Sequence, residues 1–138
     1  MPKFEDIFVG QKAVKTTLIS KEMIARFAEV TLDDNPVHLD ETYAAGNSFF
    51  KRCVAHGMIS ASLAASLMGT ELPGHGTIYL GQSLKFKNPV FPGDEVTVRL
   101  EVLEKQEVSK RIRLSTVVVN QDGKVVVEGE ATVMLRLP

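Results

Sequence analysis

The sequence predicts an α+β fold, and three observations predict it. Up to about residue 70 the apolar residues recur at helical spacing, whereas from Ile78 onward they alternate with polar neighbours. Between the two regimes, residues 54–70 carry no Asp, Glu, Lys or Arg. A helix apolar nearly all round belongs inside a fold, where long antiparallel strands can wrap it.

The first helix starts after Ser20, a side chain suited to capping free N–H groups, with Ile24, Phe27, Ala28 and Thr31 on one face. It must stop near Leu32, because Asp34-Asn35-Pro36 is a turn cluster and Pro36 pushes Asn35 out of the helical region. Asp40 then caps a short helix that Gly46 ends. The uncharged helix runs from about His56 to Met68, with Gly69 as its expected C-terminal stop, and Pro73-Gly74-His75-Gly76 forms a loop. Ile78, Leu80, Leu84 and Phe86 alternate imperfectly, with Gly81 expected at a bulge. Val96 to Leu103 alternate cleanly, Ile112 and Leu114 sit between polar residues, and the last strand runs from Val127 to Arg136. Pro92-Gly93-Asp94 and Gln121-Asp122-Gly123 supply turns, the second a hairpin signal. Strand order does not follow from pattern.

Composition bounds the function. With 138 residues, 16 basic and 17 acidic, the chain reads as one domain over residues 1–138 with its own core. A net charge of −1 gives no electrostatic ground for nucleic acid or an anionic membrane surface. The uncharged stretch is shorter than the ~20 residues of a membrane span. Lone Cys53 excludes an internal disulfide and a cysteine-built zinc cluster, and fits a reducing compartment, the cytoplasm. The amino-terminal residues lack the apolar run of a secretory signal.

The segment Asp33-Asp34-Asn35-Pro36-Val37-His38 carries the most chemistry. Five residues apart, Asp33 and His38 would not share a helix face, but across a turn forced by Asn35-Pro36 they can converge on one water. The competing reading makes the aspartates turn caps and His38 a surface residue. His56-Gly57-Met58 opens the uncharged helix, where free backbone N–H groups can stabilise an oxyanion and Gly57 lets a ligand approach. There the competing reading is a tight helix start with His56 capping or packing. The three histidines lack metal-ligand spacing, so no metal is expected. No phosphate-binding glycine loop is present, although Lys85 and Lys87 could meet the phosphates of a nucleotide-bearing ligand.

Residues 27–44, FAEVTLDDNPVHLDETYA, followed by VAHGMISASLAASLMG and LPGHGTIYLGQSLKFKNPVFPGDEV, closely resemble MaoC-like (R)-specific enoyl-CoA hydratases. The likeness covers nearly the whole chain and is strongest to the short, single-domain type that feeds polyhydroxyalkanoate synthesis. It implies a hot-dog fold, in which the sheet wraps the long helix, and a homodimer. It also implies catalytic roles for Asp33 and His38, an oxyanion donor in the Gly57 N–H, and support from Asn35 and His56. The substrate implied is an acyl-CoA thioester, taking up water reversibly and syn to give the (R)-3-hydroxyacyl product, without metal or redox cofactor. Two departures stand out: Leu32 replaces a frequent glycine, and Ala65 replaces an active-site serine of some members, with Ser62 and Ser66 nearby. Three other functions compete. They are a 3-hydroxyacyl-carrier-protein dehydratase, a hot-dog thioesterase and a non-catalytic acyl-thioester binding subunit. For the homodimer, Val117, Val119, Val126 and Met134 are expected on an exposed second face of the sheet.

Overall fold

The computed structural model describes residues 2–135, so Arg136, expected in the last strand, lies outside the described residues. Its chain starts, after a short 3₁₀ turn, with a strand that periodicity does not reveal, β1 (Lys12–Leu18). Ala13 is the one buried residue of β1, because the strand sits at the sheet edge, paired only to β4 (Glu95–Gln106). An edge strand wet on both faces has no alternation to read.

The expected helices follow. Ser20 Oγ accepts from the Met23 N–H at 3.0 Å and starts α1 (Lys21–Thr31). Asn35 caps a single helical turn, α2 (Pro36–Leu39), with Pro36 in the first turn, where its missing N–H costs nothing. Asp40 Oδ1 accepts from Tyr43 N–H and starts α3 (Glu41–Asn47), which outlasts Gly46 by one residue. The uncharged helix is α4 (Gly57–Thr70). Gly69 lies within it, because Leu67 O still accepts from the Glu71 N–H.

Beyond α4 come β2 (Thr77–Gln82), β3 (Lys85–Phe86), β4, β5 (Arg111–Asn120) and β6 (Val125–Leu135). They form one antiparallel sheet in the order β1-β4-β5-β6-β2, with β3 also on β6. The expected bulge falls at Tyr79/Gly81, and Asn120 Oδ1 accepts two backbone N–H groups to close the hairpin around Gly123. Val96, Val98, Leu100 and Val102 of β4, Ile112, Leu114 and Val118 of β5, and Ala131 and Val133 of β6 form the inner face. They enclose Ile59, Ala64, Leu67 and Met68 of α4.

Two expectations are corrected. Val119 and Val126 are buried in the core, because a register shift at Val118/Val119 turns the β5–β6 pairing there. Val117 and Met134 are half-buried on the outer face among Arg113, Glu128 and Glu130, so these four residues make no shared apolar patch. Nor is α4 covered all round: the sheet wraps one side, while Met58, Ser62, Ser66 and Gly69 remain exposed in the single chain. Among the exposed apolar side chains, Ile78, Tyr79, Leu80 and Phe86 stand together on β2 and β3.

Gly129 is required by a close approach. A Cβ there would lie 1.8 Å from the Ser83 carbonyl oxygen, where the β2–β3 link crosses β6. Ser83 N–H donates to Glu130 O at 2.9 Å and Ser83 Oγ accepts from Glu130 N–H at 3.0 Å. This crossing sets Phe86 beside the start of α4.

Met68 is 1% exposed at the centre of the core. Met68→Ala is expected to lower unfolding free energy by about 2–4 kcal/mol, a buried methionine's transfer and cavity cost. Urea denaturation measures it; a loss below about 1 kcal/mol would mean that α4 is not packed as described.

Candidate active site

The turn that carries Asp33 begins with a strained residue. Leu32 ends α1 in the left-handed region, with φ 66°, a conformation that glycine adopts without strain. The reversal brings Asp33 off the helix axis, and Asp33 Oδ1 accepts from Asn35 N–H at 3.4 Å. Asn35 Oδ1 accepts from Val37 N–H at 3.1 Å, closing the turn from within. His38 then stands on α2, half-buried.

A second segment locks this turn from below. Val54 N–H donates to Val37 O at 3.2 Å, and His38 Nδ1 lies 2.5 Å from Val54 O. A carbonyl only accepts, so Nδ1 carries the proton and Nε2 presents a lone pair. Ala55 N–H donates to Val90 O at 2.7 Å, tying the same segment to the loop before β4. The chain then enters α4 through His56 and Gly57.

His56 is buried and in contact with both members of the pair. Its ring stacks on His38 at 3.8 Å between centroids, and its Nε2 lies 2.9 Å from Asp33 O. The ring makes no side-chain cap on α4, so the capping reading is replaced by a contact across the site. The sequence gives little sign of it, because His38 and His56 are far apart in the chain and their meeting is tertiary.

Asp33, His38, His56, Gly57 and Ser62 line one cavity of about 390 Å³ with Phe27, Thr31 and Met58. Ser62 is therefore at the site, whereas Ala65 is not among its lining residues. A second cavity, about 500 Å³, meets the first at Gly57 and Met58 and is lined by Phe50, Phe86 and Lys87 among others. Lys87 also pairs with Glu128 at 3.4 Å, while Lys85 stands outside both linings. The Phe86 ring lies close over Gly57: a Cβ there would come within 2.8 Å of it, so a side chain would require the exposed ring to shift.

The expectation that the histidines stay apart is corrected. Donor atoms of Asp33, His38 and His56 lie within 4.8 Å of one another. Behind His38, Cys53 is buried; burial first, then the Glu41 carboxylate, push its thiol up and disfavour a thiolate nucleophile.

An antiparallel sheet wrapped on one long helix is the hot-dog architecture, and here an aspartate and two histidines line a cavity at the N-terminal end of that helix. The chain belongs to the MaoC like domain family, which matches residues 6–125. It is 46% identical to an (R)-specific enoyl-CoA hydratase of Aeromonas caviae over 95% of this chain and 97% of that one. A hydratase of the same name from Rhodospirillum rubrum is also 46% identical, over 96% of this chain and 90% of its own. The solved structure of an unliganded R-hydratase from Pseudomonas aeruginosa superposes with a TM-score of 0.91 at 49% identity, covering 98% of this chain and 86% of that one.

Leu32 tests the strain at the turn. Its side chain is 84% exposed, so Leu32→Gly sacrifices little burial and relieves a conformation costing about 1 kcal/mol. Thermal unfolding is expected to rise by roughly 2–4 °C. An unchanged or lower midpoint would show that the turn is unstrained.

Proposed function

We propose that this protein is an (R)-specific enoyl-CoA hydratase, adding water reversibly and syn to a trans-2-enoyl-CoA to give the (R)-3-hydroxyacyl-CoA. One observation carries the reading: Asp33, His38 and the start of α4 at Gly57 line the same cavity. The reaction needs a hydroxyl delivered to Cβ, a proton delivered to Cα, and stabilisation of negative charge on the thioester oxygen. Asp33 takes the proton of the attacking water, with His38 Nε2 holding that water as its partner. The proton reaching Cα comes from this same pair, on the face from which water adds. Gly57 N–H, at the positive end of α4, faces the thioester oxygen as charge develops. Asn35 and His56 support the pair, and Ser62 contacts the bound acyl thioester. The second cavity, with Lys87 at its wall and Lys85 beside it, receives the rest of the thioester carrier. The reaction calls for no metal or redox cofactor.

The functional unit in this reading is one domain over residues 1–138, working in the cytoplasm, as a lone buried thiol suits a reducing compartment. No helix among the described residues is long and apolar enough to cross a membrane. A second copy of the chain covers the free edge of β2. Ile78, Tyr79 and Leu80 are each over 40% exposed there, next to Phe86, and an apolar edge strand left open invites pairing. Sedimentation at micromolar concentration is expected to show a dimer; a species of monomer mass alone would overturn the assembly.

Hydration of crotonyl-CoA with chiral analysis of the product tests the activity. Predominantly (S) product, or turnover of carrier-protein thioesters alone, would move the assignment elsewhere. Asp33→Asn and His38→Gln should each lower kcat by roughly 10²- to 10⁴-fold, the range for lost acid–base catalysis. The double variant should be little worse than either, since both hold one water. Asp34→Asn, exposed beside the pair, should stay near wild type. Equal losses at Asp34 and Asp33, in variants shown by circular dichroism to be folded, would mean that the wrong acid is assigned.

A further inference from the structure

We propose that His56 is the positioning residue of this site, one imidazole that sets both the Asp33 backbone and the His38 ring; this rests on the hydratase reading above.

The observations converge on a side chain with one polar contact and two aromatic ones, and no capping role on α4. His56 is 4% exposed, so water does not satisfy it. It occupies the residue before α4 yet makes no side-chain hydrogen bond to the helix, and its Nδ1 is buried without a partner. Its polar capacity goes through Nε2 to Asp33 O at 2.9 Å, a contact spanning 23 residues of sequence. Because that partner is a carbonyl, Nε2 carries the proton and Nδ1 the lone pair. The ring faces are used as well, one stacked on His38 at 3.8 Å and 29°, with Phe27 tilted against the ring at 5.0 Å.

Space filling alone would call for an apolar residue here, since a buried nitrogen without a partner is a standing cost. The imidazole combines two properties that no aliphatic residue has: an N–H aimed at Asp33 O and a flat face for His38. The first holds the peptide from which the Asp33 carboxylate projects, just after the strained Leu32. The second stops His38 from swinging about its Nδ1 bond to Val54 O. Displacement of a reacting group by about 1 Å costs on the order of a hundredfold in rate, so a residue restraining both groups acts mainly on turnover. His56 itself is not assigned a proton-transfer step.

Steady-state hydration of crotonyl-CoA by wild type, His56→Phe and His56→Gln tests the assignment. His56→Phe keeps an aromatic face and loses the N–H; kcat is expected to fall ten- to a hundredfold with KM within about twofold. His56→Gln keeps an amide N–H and loses the stack, and should recover part of that loss. In a His38→Gln background, His56→Gln should cost less than about threefold, because its effect runs through His38. A kcat within threefold of wild type in His56→Phe, a rise in KM with kcat unchanged, or a full multiplicative loss in the double variant would each overturn the proposal. The unaltered protein provides a check that no folding defect can obscure. With ¹⁵N-labelled histidine, NMR should show His56 as the Nε2–H tautomer with an exchange-protected proton; an Nδ1–H tautomer would overturn it. If wild type fails to hydrate crotonyl-CoA, the hydratase reading fails, while the NMR result still decides whether His56 makes its contact to Asp33.

Discussion

Burial of α4 against β4, β5 and β6 is the constraint from which the remaining structure follows. The helix carries no charged side chain up to Thr70, so it gains little by meeting water and much by meeting Val98, Leu100, Leu114 and Val133. The sheet must curve over it, which places long antiparallel strands on one side and leaves the other side open. The open side begins at Gly57, where the helix has N–H groups to spare. A structural need, hiding an apolar helix, thus delivers a polar helix end to the protein's margin.

The acid–histidine turn is assembled against that helix end by a few hydrogen bonds, one within the turn and the others from distant segments. Asn35 closes the turn from within, and Val37, Val54 and Val90 tie it to the chain entering α4. The tie also orients His38: with Nδ1 engaged by Val54 O, the nitrogen left free is Nε2. The backbone thereby sets a tautomer as well as a position. Leu32 marks the conformational cost of this arrangement, a left-handed residue with a side chain in water where glycine would meet no penalty.

Fold alone would leave the function undecided, since a hot-dog sheet and a helix N-terminus also suit thioester hydrolysis. In the proposed reading the distinction lies in the turn. Hydrolysis of a thioester needs no second group poised to serve Cα, whereas hydration of an alkene does, and Asp33 and His38 occupy one cavity with Gly57. The cavity beside it, with Phe86 of β3 in its wall, shows how a strand far along the chain becomes part of the site.

By itself the sequence determined the α+β class, the caps at Ser20 and Asp40 and the bulge near Gly81, and it singled out Asp33, His38 and Gly57 as candidates. All of these rest on local signals: periodicity, side chains that satisfy nearby N–H groups, and a motif confined to short windows. Tertiary structure alone decided the remainder. Edge strand β1 has no buried face to write a pattern, and Val119 and Val126 turned inward because a register shift reverses which residues face the core. The stacking of His56 on His38, the place of Ser62 in the cavity and the glycine demanded at 129 join residues distant in the chain. Such contacts depend on where the sheet, once curved over α4, brings each backbone, and no local window carries that distance.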